Sequence, residues 1–152
     1  LIDIFYEYQK LNPESKLILI GDGLLKQTIK EKVQKYNISD KVLFLGVRQD
    51  VNELYNIMDV FVFPSFYEGL GIVLIEAQVN GLKCIVSDTI PSEVKMLDNL
   101  EFVDLSQGEK KWANIIEKAD MKRLNNFTEI KKKGYSILET IKEIEKIYKG
   151  DK

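Results

Sequence analysis

Two glutamates separated by seven residues, Glu68 and Glu76, are the side chains in this sequence best placed for chemistry. Gly69 and Gly71 lie between them and let the backbone approach a ligand closely. The apolar run that follows predicts a helix, whose first amides would form an anion site. About one and a half turns into that helix, the Glu76 carboxylate would accept both hydroxyls of a ribose diol. Glu68 would meet a hydroxylated group beyond the phosphates.

This spacing favours a nucleotide-sugar site, but a plainer interpretation stays open. Glu68 and Gly69 would then form a simple turn, and Glu76 would be a partly exposed helix acid. The helix itself carries Ile72–Ile75, Ala77 and Val79, which leave no polar face. We therefore predict that the helix is buried. A carboxylate on a buried helix is costly unless something pairs with it, and a ligand is one such partner.

Composition excludes several classes of function. The chain has 152 residues, a net charge of -2 and interspersed charges, without the basic stripe typical of nucleic-acid binding. It contains no histidine, which removes Ser/His/Asp and Cys/His triads and disfavours a catalytic zinc site. Its single cysteine, Cys84, is predicted to be a reduced core residue. No signal peptide and no apolar run of about 20 residues is present.

Helical and strand patterns alternate along the chain. We predict helices over about 2–11, through Leu25–Tyr36, Val51–Met58 and 72–80, after Pro91, and through Trp112–Ala119, 125–133 and Ile137–Tyr148, with strands at Lys16–Ile20, Val42–Leu45, Asp59–Phe63, Cys84–Val86 and Glu101–Val103. The strands are continuous apolar runs, which indicates strands buried on both faces. The fold class is therefore α/β, with a Rossmann-like parallel sheet and helices on both faces.

Other strand ends carry polar or glycine residues at the edge where parallel sheets bind ligands. Gly21-Asp-Gly23 lacks the third glycine of a dinucleotide fingerprint, and we favour a strand-to-helix turn that Asp22 helps to cap. Arg48 follows Gly46-Val47 and would meet a phosphate or a base, although a solvated surface arginine is the commoner case. Ser87-Asp-Thr89 is a fourth such polar loop.

A set of motifs resembles one family. These are Gly21-Asp-Gly23, Val42–Gly46, Asp59–Ser65, Glu68–Gly71 with Glu76-Ala77, and Gly81 before a strand. Together they resemble the C-terminal half of retaining GT-B glycosyltransferases of family 4, whose E-x7-E motif the two glutamates match. The resemblance covers about residues 1 to 105, and a final helix bearing Tyr148 also fits. The sequence is most similar to that of family members that build bacterial exopolysaccharide and capsule.

The resemblance implies a UDP-sugar donor and transfer of a hexosyl unit with retention of configuration. Glu76 would take the ribose hydroxyls, and Glu68, the catalytic candidate, would contact the transferred sugar. Amides of Leu70, Gly71 and Ile72 would bind the diphosphate, with Gly46, Val47 and Arg48 beside the uracil and Gly69 and Gly21 also on the donor side. The family works without a bound metal or cofactor. The acceptor would be a glycan or lipid-linked sugar, in a cytoplasmic protein associated peripherally with the inner membrane face.

The sequence also departs from that family. There, a strand and a glycine-arginine loop precede the position of Leu1, and a lysine follows it; these are absent here. We therefore expect residues 1–152 to be one partial donor-binding domain, with 109–152 as its helical tail, lacking the N-terminal domain that binds the acceptor. Such a fragment should not catalyse transfer alone. Without the first strand, the Lys16–Ile20 and Asp59–Phe63 strands either pair with each other or leave a gap that a second copy fills.

Three rival functions remain open at this stage. A GT-B sugar-nucleotide epimerase would need a histidine or a different acid set. A non-catalytic binding or partner domain would keep the fold without the reaction. A flavodoxin-like regulator domain predicts acidic clusters after its first strand, and the long helical tail would be surplus to it.

Overall fold

A computed structural model describes residues 1–69 and 71–124 of the chain. Its elements are α1 (Ile2–Leu11), β1 (Leu17–Ile20), α2 (Lys26–Lys35), β2 (Val42–Gly46), α3 (Val51–Tyr55), β3 (Val60–Phe63), α4 (Ile72–Val79), β4 (Lys83–Ser87), β5 (Leu100–Val103) and α5 (Glu109–Lys118), with 3₁₀ turns at Ser92–Val94 and Leu105–Gln107. The predicted alternation of strands and helices is confirmed over these residues. The helices predicted at 125–133 and through Ile137–Tyr148 lie outside the described residues.

The strands form two parallel sheets. β1 pairs with β2, and β4 lies between β3 and β5. Cys84, Ile85 and Val86 on β4 are fully buried, which explains the continuous apolar run of that strand. Every residue of β1 and of β3 is only half-buried, and within the described residues each of these strands pairs with a strand on one side. The prediction that the Lys16–Ile20 strand is buried is therefore wrong, because the strand is only half-buried.

No pairing joins β1 to β3 in the part of the chain that the structure describes. The alternative in which these two strands pair directly is therefore wrong. The other alternative, in which a second copy fills the gap, stays a prediction.

Helix α1 joins the two sheets by packing against both of them. Ile2 and Phe5 belong to the apolar cluster that contains Val33 of α2 and Val42 of β2. Ile4 belongs to a separate cluster with Ile85, Val103, Trp112 and Ile116, contributed by β4, β5 and α5. Because successive faces of one helix serve both clusters, the apolar spacing of α1 fixes how the two sheets lie relative to each other.

Helix α4 is buried on one side only. Leu74 and Ala77 are fully buried, whereas Ile72 is 63% exposed and Val73 and Val79 are each 39% exposed. The prediction of a helix buried all round is therefore wrong. Leu74 and Ala77 belong to the cluster that holds Cys84 and Val86 of β4. Ile75 packs against Met96 and Leu97, so α4 is covered by the sheet and by this segment, and only its remaining side is exposed.

Candidate functional site

The loops after β1 and β2 meet at the carboxyl edge of their sheet. The backbone amide of Gly21 donates to the carbonyl oxygen of Gly46 over 2.7 Å. Both glycines have positive φ, +117° and +65°, and a Cβ at either position would meet no atom within 4 Å. The two glycines are therefore required by backbone conformation rather than by crowding. The structure brings these two predicted site residues together.

Arg48 forms an ion pair with Asp50 of its own loop. Its Nε donates to Asp50 Oδ1 over 2.7 Å, and its Nη2 pairs with Asp50 Oδ2. This guanidinium is the main reason why the pKa of Asp50 lies below its usual value. Val47, beside it, is 78% exposed. A role of either residue next to a base stays a prediction, and for Arg48 it would require exchange of the Asp50 partner.

Asp22 does not cap α2, contrary to expectation. Its Oδ1 accepts from the amide of Gly23 over 2.8 Å, and its Oδ2 accepts from Lys26 Nζ over 2.9 Å. Helix α2 begins after Leu25, which is 69% exposed and so does not join the apolar stripe predicted for it. The glycine turn thus delays the helix by a few residues, and Asp22 neutralises a lysine in its first turn.

The loop after β3, which carries Glu68, is tethered to the loop after β4. The carbonyl oxygen of Ser65 accepts hydrogen bonds from Ser87 Oγ and from Thr89 Oγ1, the latter over 2.7 Å. Ser65 Oγ donates in turn to the carbonyl of Tyr67 over 2.8 Å. The Ser87–Thr89 loop, predicted from sequence as a ligand-side strand end, therefore positions its neighbour.

The amino-terminal end of α4 is open. Gly71 precedes the helix with a φ of +60°. Among residues 1–69 and 71–124, no side chain caps the first turn, and that turn contains no acid. A Cβ on Gly71 would lie 3.1 Å from Leu74 Cδ1 and 3.4 Å from Glu68 Cγ, so a larger residue is strained by the backbone conformation and would also need a small shift of Leu74. The first amides of a helix lack intrahelical acceptors and carry its positive end. Ile72 belongs to this turn; Leu70 lies outside the described residues.

Glu68 lies beside this helix end. Its side chain packs against Gly71, and its Oε1 accepts from the amide of Gly69 over 3.2 Å. The side chain is half-buried. The structure therefore places Glu68 where the sequence predicts it, next to the uncapped amides.

Glu76 lies further along α4 and is also half-buried. Its Oε2 accepts a hydrogen bond from Tyr55 Oη over 3.2 Å. Tyr55 is 1% exposed, and its pKa is raised first by burial and then by the neighbouring Glu76 charge, so the hydroxyl keeps its proton and remains a donor. Sequence reasoning missed this partner because Tyr55 fits the apolar stripe of its own helix and looks like a core residue.

The charge balance of the site is incomplete within the described residues. In residues 1–69 and 71–124, neither Glu68 nor Glu76 has an ion-pair partner. In the same residues, no group of three acids or cysteines converges as a metal site would. The uncapped helix end offers amide donors to an anion, and the carboxylates of Glu68 and Glu76 offer acceptors to hydroxyl groups.

Sequence comparison gives a family match over most of the chain. The family model described as Glycosyl transferases group 1 matches residues 1–132. The chain is 44% identical over 105 residues to the putative glycosyltransferase EpsF of Bacillus subtilis, covering 68% of this chain and 27% of that protein. It is 40% identical over 79 residues to the UDP-Gal:alpha-D-GlcNAc-diphosphoundecaprenol alpha-1,3-galactosyltransferase of Escherichia coli, covering 51% of this chain and 20% of that protein. The chain thus spans about a quarter of the length of these relatives.

Solved structures agree on the fold. The pneumococcal O-GlcNAc transferase GtfA, in complex with UDP and GlcNAc, superposes with a TM-score of 0.78 at 17% identity, covering 98% of this chain and 32% of that one. Staphylococcus aureus TarM, in a complex that includes UDP, gives a TM-score of 0.64 at 20% identity, covering 79% of this chain and 29% of that one. At these identities the likeness shows a shared fold, which is the predicted α/β architecture of GT-B glycosyltransferases.

Proposed function

Since the chain belongs to the glycosyl transferases group 1 family, we propose that it forms the nucleotide-sugar-binding part of a retaining glycosyltransferase. The transferred group would be a hexosyl unit, and the acceptor a growing polysaccharide or a lipid-linked sugar. The relatives named above include a putative glycosyltransferase and a galactosyltransferase whose name gives UDP-Gal as its donor. This supports a UDP-sugar as the donor.

One observation carries the proposal: the half-buried Glu68 lies beside the uncapped amino-terminal end of α4, and the half-buried Glu76 lies further along the same helix. The diphosphate would accept hydrogen bonds from the amides at Leu70, Gly71 and Ile72. An anion there is stabilised by the helix dipole, and no acid occupies the first turn to compete with it.

The two glutamates would then contact opposite ends of the donor. Glu76 would accept the ribose hydroxyls, and Glu68 would contact the transferred sugar. Charge-assisted hydrogen bonds of this kind are stronger than neutral ones. The loops of Gly21 and of Gly46–Arg48, held together at the neighbouring sheet edge, would flank the base.

The proposal also covers the acceptor, the need for a metal or cofactor, and the activity of this chain alone. We propose that the acceptor is bound by a domain outside residues 1–152, that no metal or cofactor takes part, and that this chain alone does not turn over. None of the described helices is long and apolar enough to span a bilayer. Peripheral membrane association and a cytoplasmic location stay predictions.

Calorimetric titration of the chain with UDP and with UDP-sugars tests the donor site. We expect saturable binding, and at least about a tenfold loss of affinity in Glu76→Ala, because a charge-assisted hydrogen bond contributes about 1.5–3 kcal/mol. Glu31→Ala, the same change on the exposed face of α2, is the matched control and should bind as the wild type does.

Two results would contradict the proposal. The first is saturable UDP binding that Glu76→Ala leaves intact in a variant whose circular dichroism is native. The second is the absence of binding by the chain and by any longer form of the protein, which would favour the non-catalytic partner domain instead.

A further inference from the structure

The hydroxyl of Tyr55 donates a hydrogen bond to Glu76, the proposed ribose-binding glutamate. We propose that Tyr55 is a positioning residue for donor binding: its hydroxyl holds one oxygen of the Glu76 carboxylate so that the other oxygen faces the ribose. This inference rests on the donor site proposed above, and it adds a residue from a different helix to that site.

The geometry uses one carboxylate oxygen and leaves the other available. Tyr55 Oη lies 3.2 Å from Glu76 Oε2 and 3.4 Å from the carbonyl oxygen of Val73. The carboxylate is both the nearer acceptor and the charged one, so it receives the proton in preference to the carbonyl. In the part of the chain that the structure describes, no hydrogen bond to Glu76 Oε1 is found.

The tyrosine ring is itself held in place. Its side chain is almost completely buried, and the Phe61 ring packs edge-on against it with centroids 6.0 Å apart. A free glutamate on a helix surface has several rotamers, whose loss opposes ligand binding. A fixed hydroxyl beneath the carboxylate selects one orientation in advance and lowers that entropic cost.

The helices that carry the pair are also clamped to each other. The Arg123 guanidinium donates to the carbonyl oxygens of Tyr55 itself, of Met58 over 2.6 Å and of Asn80 over 2.8 Å. Tyr55 ends α3, and Asn80 follows the end of α4. One cation therefore ties the carboxyl ends of both helices together, so the spacing between Tyr55 and Glu76 does not depend on their hydrogen bond alone.

The test compares two ligands that differ only at the ribose: UDP, and dideoxy-UDP, which lacks both ribose hydroxyls. Tyr55→Phe keeps the ring and removes the hydroxyl. We expect the variant to lose between about threefold and tenfold in affinity for UDP, as for loss of one hydrogen bond's contribution. Its affinity for dideoxy-UDP should equal that of the wild type.

Two controls separate positioning from stability. Tyr36→Phe removes a hydroxyl that donates to Asp3 of α1, over 2.7 Å, and should change neither affinity. In a Glu76→Ala background, Tyr55→Phe should have no further effect on UDP binding, since the group that it positions is gone.

A second measurement keeps the hydroxyl of Tyr55 and so does not depend on whether Tyr55→Phe folds. Fluorine NMR of the chain with 3-fluorotyrosine in place of Tyr55 should show a shift of that resonance with UDP and none with dideoxy-UDP. An unmoved resonance at saturating UDP would overturn the inference, including in the case where Tyr55→Phe does not fold.

The remaining outcomes show whether the role of Tyr55 fails alone or the proposed donor site fails with it. If Tyr55→Phe weakens both ligands equally, or neither, Tyr55 is structural and the inference is wrong while the donor site stands. If the wild type binds UDP no better than dideoxy-UDP, the ribose role of Glu76 fails and the inference fails with it.

Discussion

Among the glycines that the structure describes, Gly81 is the one where a single added methyl group should destabilise the fold most. It follows α4 with a φ of +77°, and a Cβ there would lie 2.3 Å from the carbonyl oxygen of Leu124. Gly46 has a similar φ of +65° and open space around the same position. The pair Gly81→Ala and Gly46→Ala therefore separates backbone strain from the clash with the backbone of Leu124.

The expected sizes follow from the contacts. Left-handed conformation alone costs an alanine about 1 kcal/mol, which is the expected loss for Gly46→Ala. At Gly81 the clash is with backbone, so the 121–124 segment must move. This movement breaks the three hydrogen bonds from Arg123 to backbone carbonyl oxygens. Arg123 is exposed, so these bonds contribute at the low end, together about 2 kcal/mol. We therefore expect Gly81→Ala to lose about 3 kcal/mol of unfolding free energy.

Urea unfolding of the two variants and of the wild type measures both losses, and an unchanged denaturant slope shows that the same transition is compared. Because Gly81→Ala and Arg123→Ala release the same segment, the double variant should lose about 3 kcal/mol rather than the sum of about 5 kcal/mol. Equal losses for Gly81→Ala and Gly46→Ala, or full additivity in the double variant, would refute the docked position of residues 121–124.

Three further predictions concern other parts of the described chain. Burial raises the pKa of the Cys84 thiol to about 12, so Ellman's reagent should label it far more slowly in native than in guanidinium-unfolded protein; equal rates would contradict its burial. For Asp3, burial raises the pKa, but hydrogen bonds from Lys32 and Tyr36 outweigh it and the net pKa is lowered. Asp3→Asn should therefore be less stable than wild type above about pH 4, and urea titrations should show this difference vanish as the pH falls through the lowered pKa; a constant difference would contradict the pairing. Gln78→Leu removes a fully buried amide that bonds four backbone groups and should lose about 3 kcal/mol in the same assay, whereas a neutral result would show that the backbone finds other partners.

Part of the candidate site was predictable from sequence. Adjacent parallel strands end at a common edge, so Gly21 and Gly46 had to meet once β1 and β2 were neighbours. The positive φ of Gly81 follows from a local rule, since glycine is favoured in the left-handed conformation just past the end of a helix.

What the sequence did not reveal depends on contacts between distant residues. Arg123 reaches Tyr55 across 68 positions and looks, in sequence, like an isolated surface charge. Tyr55 pairs with Glu76 across 21 positions and looks like core. The apolar composition of α4 indicated burial on all sides, but composition cannot report how many neighbours a helix has, and here the sheet covers only one face.

A crystal structure of the chain with UDP tests the central claim most directly, namely that the amino-terminal end of α4 and Glu76 bind the donor nucleotide. We predict diphosphate oxygens about 3 Å from the amides of Gly71 and Ile72. The ribose hydroxyls should contact the Glu76 carboxylate. UDP bound elsewhere on the molecule, or its ribose turned away from Glu76, would contradict the account.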